Sequence, residues 1–253
     1  MSKKYELTNI TMQFHGRTLY RIRALRDFKD VEAGDLGGWV SNENNLSQEG
    51  YCWIYDEAKC MDNARMYDDS EMFDSSIMLN FSEMHGNSAM YDNAVMYDSS
   101  KMYDYATMYE YSEMYDYTRM FDNSEMYDYS EMHGNAKMHD HSKMHDHSKM
   151  FDDSEMHDCS EMLDSSVLYR DSMLKDEEKL YGELFFKVDK FIEIYTEEAG
   201  MVTGVLRNGK ILFSIDYYKE IDKEEFIDRI NNPTTPYEEE CLKVINKIES
   251  YLK

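Results

Sequence analysis

The densest run of chemistry-bearing side chains is His139 to Met150, "HDHSKMHDHSKM", one six-residue unit written twice with four histidines and two aspartates. Imidazole beside carboxylate is a donor set for Zn or Ni. It makes His139, His145 and His157 the candidate metal ligands, with His141 and His147 close by in the chain. A second set is a row of aspartates on a six-residue spacing: Asp92, Asp98, Asp104, Asp116, Asp122, Asp128, Asp140 and Asp146. A third is the row of rings just before them, Tyr91, Tyr97, Tyr103, Tyr109, Tyr115 and Tyr127. Flat rings can stack on sugars or bases, and aligned carboxylates can meet a basic surface. Each of these chemistries needs side chains to converge or align, so everything rests on the element that carries them.

That element is an internal repeat. From Met66 to Met162 every sixth residue is Met, seventeen in succession; Ile54 and Cys60 extend the register backwards, Leu168 and Leu174 forwards. The result is twenty-one hexads without an insertion. With the Met as position 1, position 5 is always small (Ala58, Ala64, Ser70, Ser76), Thr118 being the largest. Position 2 is Tyr, Phe or His in seventeen hexads. Position 3 is Asp in sixteen of twenty-one, and otherwise Gly86, Gly134, Asn80, Glu110 or Arg170. Position 6 is mixed, often Glu or Lys.

A strict period of six fits no helix, which would smear the Met around its circumference. In a strand, residues two apart share a face, so position 5 and the following Met point one way while positions 6 and 2 point the other. Asp, Asn or Gly at position 3 suits a bend, because these residues tolerate left-handed backbone. Each hexad therefore reads as a short strand plus a corner. Stacked coils of them form a mainly β protein, a parallel β-solenoid with a dry Met and Ser/Ala interior. Met packs flexibly, so the core should be softer than an Ile ladder.

The number of hexads per coil decides which side chains meet. With three, His139 lies in register with His157, and His145 over Leu163, so that consecutive histidines fall on different faces. With two, His133 stacks on His145 and His145 on His157, which favours a metal site.

Composition narrows the class. The 253 residues hold 27 Lys plus Arg against 52 Asp plus Glu, a formal charge of −25, with 22 Met, 22 Tyr and two Pro. Such a chain repels nucleic acid and anionic membrane and attracts cations or a basic protein. No 18-residue apolar run occurs, and "MSKKYELTN" has no signal-peptide core. Cys52, Cys60, Cys159 and Cys241 show no paired spacing, as in a reduced, cytoplasmic protein. The hexads of residues 51–176 carry 28 acidic and 9 basic side chains. Seven three-hexad coils at about 4.8 Å each then hold one net charge per ~1.8 Å, close to the ~1.7 Å of duplex DNA.

Both ends should cap the solenoid, since open coils invite edge-to-edge association. Residues 1–50 read as an N-terminal β cap: "KYELT", "TMQFHG" and "TLYRIRAL" as strands, "EAGDLGGWV" as Gly-rich turn material. The hexads occupy 51–176. Residues 177–253 read as a small α+β module, with strands in "LFFKVDKFIEIYT", "MVTGVL" and "KILFSIDYY" and a hairpin turn at "RNG". "DKEEFIDRI" and "PYEEECLKVINKIESYLK" have helix-start signals.

The hexads resemble the left-handed β-helix repeat, with Met where an aliphatic is usual and an aromatic where a small or acidic residue is common. The opening "KYELT…GRTLYRIRALRDF…V.AGDLGGWVSNENNLSQEGYCWIYDEA" is similar to that of phage- and prophage-encoded hexapeptide-repeat proteins of bacteria. That resemblance implies a protein of the bacterial host cytoplasm, and self-association by analogy with other left-handed β-helices. Hexapeptide-repeat acyltransferases present a His near a cleft shaped by loops leaving the coil, and twenty-one uninterrupted hexads provide no such loop. The sequence therefore leads to the expectation of a protein that is not an enzyme and needs no cofactor. Its acidic, aromatic surface would engage a basic host protein, as a DNA-mimicking inhibitor, without direct contact to nucleic acid or membrane. The alternatives are a structural or ligand-binding solenoid for metal or glycan, and a hexapeptide acyltransferase relative.

Overall fold

The period of six becomes two-residue strands separated by corners. The structure is a computed structural model that describes residues 3–181, 184–188, 191–196, 200–207, 210–215, 221–222 and 243–249. Strands pair in parallel with a partner eighteen residues away, as Met96 with Met114 and Met114 with Met132. There are thus three hexads per coil, and the solenoid has three faces. Face one runs from Trp53–Ile54 through Glu71–Met72 and onward to Lys179–Tyr181, eight strands in all. Face two carries Lys59–Cys60, Ile77–Met78, Val95–Met96, Glu113–Met114, Glu131–Met132 and Lys149–Met150. Face three runs from Arg65–Met66 to Met173–Leu174.

The interior is what the pattern requires. Every position 1 Met from Met66 to Met162 is fully buried, and so are the position 5 serines and Thr118. A small position 5 is demanded by the corner: its N–H closes a four-residue turn on the position 2 carbonyl, as Ser100 N to Tyr97 O at 3.2 Å. Several position 5 hydroxyls donate to the same carbonyl, Ser100 Oγ at 2.7 Å.

The Asp row has a definite structural task. Position 3 has positive φ in every hexad, for example +55° at Asp92, +56° at Asp128 and +57° at Asp146. Left-handed backbone is tolerated by Asp, Asn and Gly better than by other residues, which accounts for Gly86 (+67°) and Gly134 (+72°) at the same place. Asp adds something Gly cannot. Its Oδ2 accepts the position 3 N–H of the next coil: Asp92 N to Asp74 at 3.2 Å, Asp146 N to Asp128 at 3.2 Å and Asp164 N to Asp146 at 3.2 Å. Glu110 reproduces the contact with a longer arm, accepting from Asp128 N at 2.7 Å. These corner carboxylates thereby tie successive coils together.

The N-terminal segment extends face two sideways. Strand β1 (Tyr5–Phe14) pairs antiparallel with β2 (Arg17–Ala24), with a register shift between Leu7 and Thr11. "LGGWV", expected as turn, is strand β3 (Leu36–Val40), antiparallel to β2 and parallel to Lys59–Cys60. The glycines are there for closeness rather than for a bend. A Cβ on Gly37 would lie 2.6 Å from the Ile54 carbonyl oxygen and the Trp53 ring, and one on Gly38 2.5 Å from Ala58 O. Lys4 is buried under this cap, its ammonium donating to Cys52 O at 2.9 Å.

At the other end Leu184–Val188 continues face two in parallel beside Val167–Tyr169. An antiparallel meander follows: Phe191–Thr196, Gly200–Arg207, Lys210–Ile215 and Ile221–Asp222. "LFFKVDKFIEIYT" is thus two paired strands. Arg207 pairs with Lys210 across the expected "RNG" turn, whose central residues lie outside the described ones. Residues 243–249 form a helix that buries Val244, Ile245 and Ile248. The helix expected in "DKEEFIDRI" lies outside the described residues. Among the described residues no helix is long and apolar enough to cross a membrane.

Candidate active site

Position 2 rings form ladders along each face. On face one Tyr91, Tyr109 and Tyr127 stack at 5.0 and 4.9 Å, followed by His145 at 4.8 Å. After face two Tyr97, Tyr115 and His133 stack at 4.8 and 4.6 Å. After face three Tyr103, Phe121, His139 and His157 do so at 5.1, 4.7 and 4.6 Å. The six tyrosines singled out from the sequence therefore fall in three separate ladders with their flat faces covered by neighbours. The aspartates Asp92, Asp98, Asp104, Asp116, Asp122, Asp128, Asp140 and Asp146 likewise divide among three corners. His139 and His157 are brought together as parallel rings, whereas His145 stands on another face. Among the described residues no group of three or more His, Cys, Asp or Glu is placed to hold a metal ion.

The outward position 6 residues, which the sequence reading left aside, hold a second arrangement of titratable groups. Three histidines turn Nε2 to the glutamate two residues before them: His85 to Glu83 at 3.3 Å, His133 to Glu131 at 2.9 Å and His157 to Glu155 at 3.1 Å. Each glutamate also holds a lysine from an adjacent coil, Lys101, Lys149 and Lys137 respectively, at 2.6 to 2.8 Å. Partial burial works to raise these carboxyls, but the lysine and histidine partners outweigh it and hold all three below the usual glutamate range. An ionised glutamate only accepts, so in this contact the proton sits on Nε2 and Nδ1 is left with a lone pair. Nδ1 of His85 and of His157 lies 4.0 Å from a corner aspartate, Asp68 and Asp140. His133 differs: among the described residues no carboxylate comes within that distance of its Nδ1.

His133 also has a neighbour the other two lack. Glu113 is the in-register partner of Glu131 one coil away, and it has no ion-pair partner among the described residues. Burial first, and then the Glu131 charge, push the Glu113 carboxyl above its ordinary value, with His133 and Lys149 partly opposing. Two adjacent carboxyls moved in opposite directions beside an imidazole are the arrangement that divides acid and base roles. Tyr97 and Tyr115, stacked beside Glu113, form one wall of the site; burial and the Glu113 charge raise the Tyr97 phenol. The signal was present in the sequence. Position 6 written in columns of eighteen puts Glu113 against Glu131, a like-charge contact that ladders ordinarily avoid.

No family model matches the chain. A stretch of 39 residues, 15% of this chain, is 56% identical to the uncharacterized acetyltransferase YdcK of Escherichia coli (strain K12). The matched stretch spans 12% of that protein's length. This likeness overturns the expectation of a protein that is not an enzyme. The chain is a parallel β-solenoid built of hexapeptide repeats, with a 39-residue stretch similar to that acetyltransferase.

Proposed function

We propose that the protein transfers an acyl group from a thioester to an amine or hydroxyl, with His133 as general base. The observation that carries this reading is the Glu131–His133 hydrogen bond at 2.9 Å, beside the acetyltransferase likeness. His133 Nδ1 takes the proton of the acceptor as its nitrogen or oxygen attacks the thioester carbonyl carbon. The new bond to carbon forms, the carbon–sulfur bond breaks, and the departing thiolate receives the proton from the imidazolium. Glu131 stabilises the imidazolium that exists between those two transfers. Glu113, when protonated, is the group able to donate a hydrogen bond to the carbonyl oxygen as negative charge builds on it.

Calorimetric titration of the whole protein with acetyl-CoA tests the reading. Saturable heat, with an affinity unchanged in His133→Gln, is expected of a base that acts on the acceptor. Absence of heat at millimolar ligand overturns the proposal.

A second reading, compatible with the first, is a surface for a basic protein. It draws support from the exposed corner aspartates Asp98, Asp116 and Asp122, each of which accepts a backbone N–H of the next coil. Capture that vanishes when Asp98, Asp116 and Asp122 are changed to Asn would support it; capture indifferent to those changes and to salt would end it.

A further inference from the structure

On the later coils of face one, outward charges alternate in sign. Glu125, Lys143, Glu161 and Lys179 follow one another on successive coils of face one, paired at 2.7 Å as Lys143–Glu125 and Lys179–Glu161. Like charges directly opposite in a ladder are destabilising. Face three departs from the alternation with three cations in register, Lys101, Arg119 and Lys137. Lys101 is held by Glu83 and Lys137 by Glu155, each at 2.6 Å and each on the side away from the middle coil. Arg119 between them is exposed and has no ion-pair partner among the described residues. On its own rung it is flanked by Tyr117, which is 63% exposed, and by Phe121. Lys101 and Lys137 thus have counter-charges and Arg119 has none among the described residues, in a chain whose formal charge is −25.

We propose that Lys101, Arg119 and Lys137 form a binding subsite for the phosphate or pyrophosphate group of a ligand, anchored by Arg119. Guanidinium presents a planar fork that matches two oxyanion oxygens at once. Three cations on coils about 4.8 Å apart span roughly 10 Å, which suits a multiply charged oxyanion better than a single carboxylate. One corner, Asp116 to Thr118, separates this row from the face that carries Glu113. A phosphate held here therefore sits around the corner from the His133 group, and it belongs either to the acyl donor or to a phosphorylated acceptor. The inference goes beyond acyl transfer and stands without it, because binding is read with no turnover.

The test is calorimetry of the whole protein with inorganic pyrophosphate at about 50 mM salt, where screening is modest. Wild type should bind saturably, Arg119→Gln should weaken binding at least about tenfold, and Lys143→Gln, a paired lysine on another face, should leave it unchanged. Arg119→Gln relieves a like-charge contact, so its unfolding temperature should equal or exceed that of wild type. Acetyl-CoA and the phosphate-free acetyl-pantetheine then separate the two sources. A loss confined to acetyl-CoA assigns the phosphate to the donor; a loss for pyrophosphate alone assigns it to the acceptor. No saturable pyrophosphate binding by wild type, or an equal loss in Lys143→Gln, overturns the subsite. Silence toward acetyl-CoA with pyrophosphate binding intact removes acyl transfer and leaves the subsite standing.

Discussion

Glu113 stands in register with Glu131 on adjoining coils of face two, and the two carboxyls are driven in opposite directions. Glu131 is held low by Lys149 and His133, while Glu113 is raised by burial and by the charge of Glu131 itself. A raised carboxyl means the folded protein binds that proton more tightly than the unfolded chain does. Its contribution to stability is therefore fully present below the ordinary glutamate pKa and is lost as pH rises through the raised folded value. Glu113→Gln should stabilise the fold at neutral pH by about 0.2–1 kcal/mol, and the gain should fade on acidification toward pH 4. Thermal unfolding of the two proteins across pH 4 to 8 measures this; a variant less stable than wild type at pH 7 contradicts it.

The corner carboxylates predict a graded series at Asp146, where φ is +57° and Oδ2 accepts from Asp164 N at 3.2 Å. Asn keeps both the backbone preference and an acceptor oxygen, so it should cost least. Gly keeps the backbone and loses the hydrogen bond, about 1 kcal/mol. Ala loses both and should cost about 2 kcal/mol or more. Denaturant midpoints would place the three, and Ala as mild as Asn would remove the tie between coils from the explanation.

His139 offers a change of opposite sign with pH. Burial, and then the neighbouring His157, push its imidazole below the ordinary value. The fold therefore favours the neutral ring, and its share of stability is present at pH 7.5 and lost as pH falls from the ordinary histidine value through the lowered folded one. His139→Phe, matching Phe121 beneath it, should lose less stability than wild type between pH 7.5 and pH 5. Equal losses in the two proteins would contradict the assignment.

The methionine interior can be tested at Met114, which is fully buried. Leu, close in volume, should change stability by less than about 1.5 kcal/mol. Ala should cost about 2–5 kcal/mol through lost burial and the cavity it leaves. Chemical denaturation of the pair checks both, and a mild Met114→Ala would mean that neighbouring coils collapse onto the gap.

The solenoid was legible because Met66, Met72 and their successors impose a period that only strand-plus-corner units satisfy. The corner at Asp92 or Asp146 was legible because Gly86 and Gly134 replace Asp there. What each carboxylate accepts was not, since its partner is the backbone N–H eighteen residues on and the number of hexads per coil was open. The same ambiguity hid the site. Glu113 and Glu131 meet only with three hexads per coil, and that same count sets His139 on His157 while leaving His145 on another face. "LGGWV" was misread because the need for Gly37 and Gly38 lies in Trp53, Ile54 and Ala58 pressing against them, which is a tertiary demand.

The most direct measurement of the central claim is thiol release from acetyl-CoA with a panel of amine and hydroxyl acceptors, comparing wild type, His133→Gln and His85→Gln. General-base catalysis is worth about 10²–10⁴ in rate. The account predicts a loss of that order in His133→Gln, near-wild-type release in His85→Gln, and unchanged unfolding temperatures in both. Release that is absent from wild type, or that survives in His133→Gln, contradicts it.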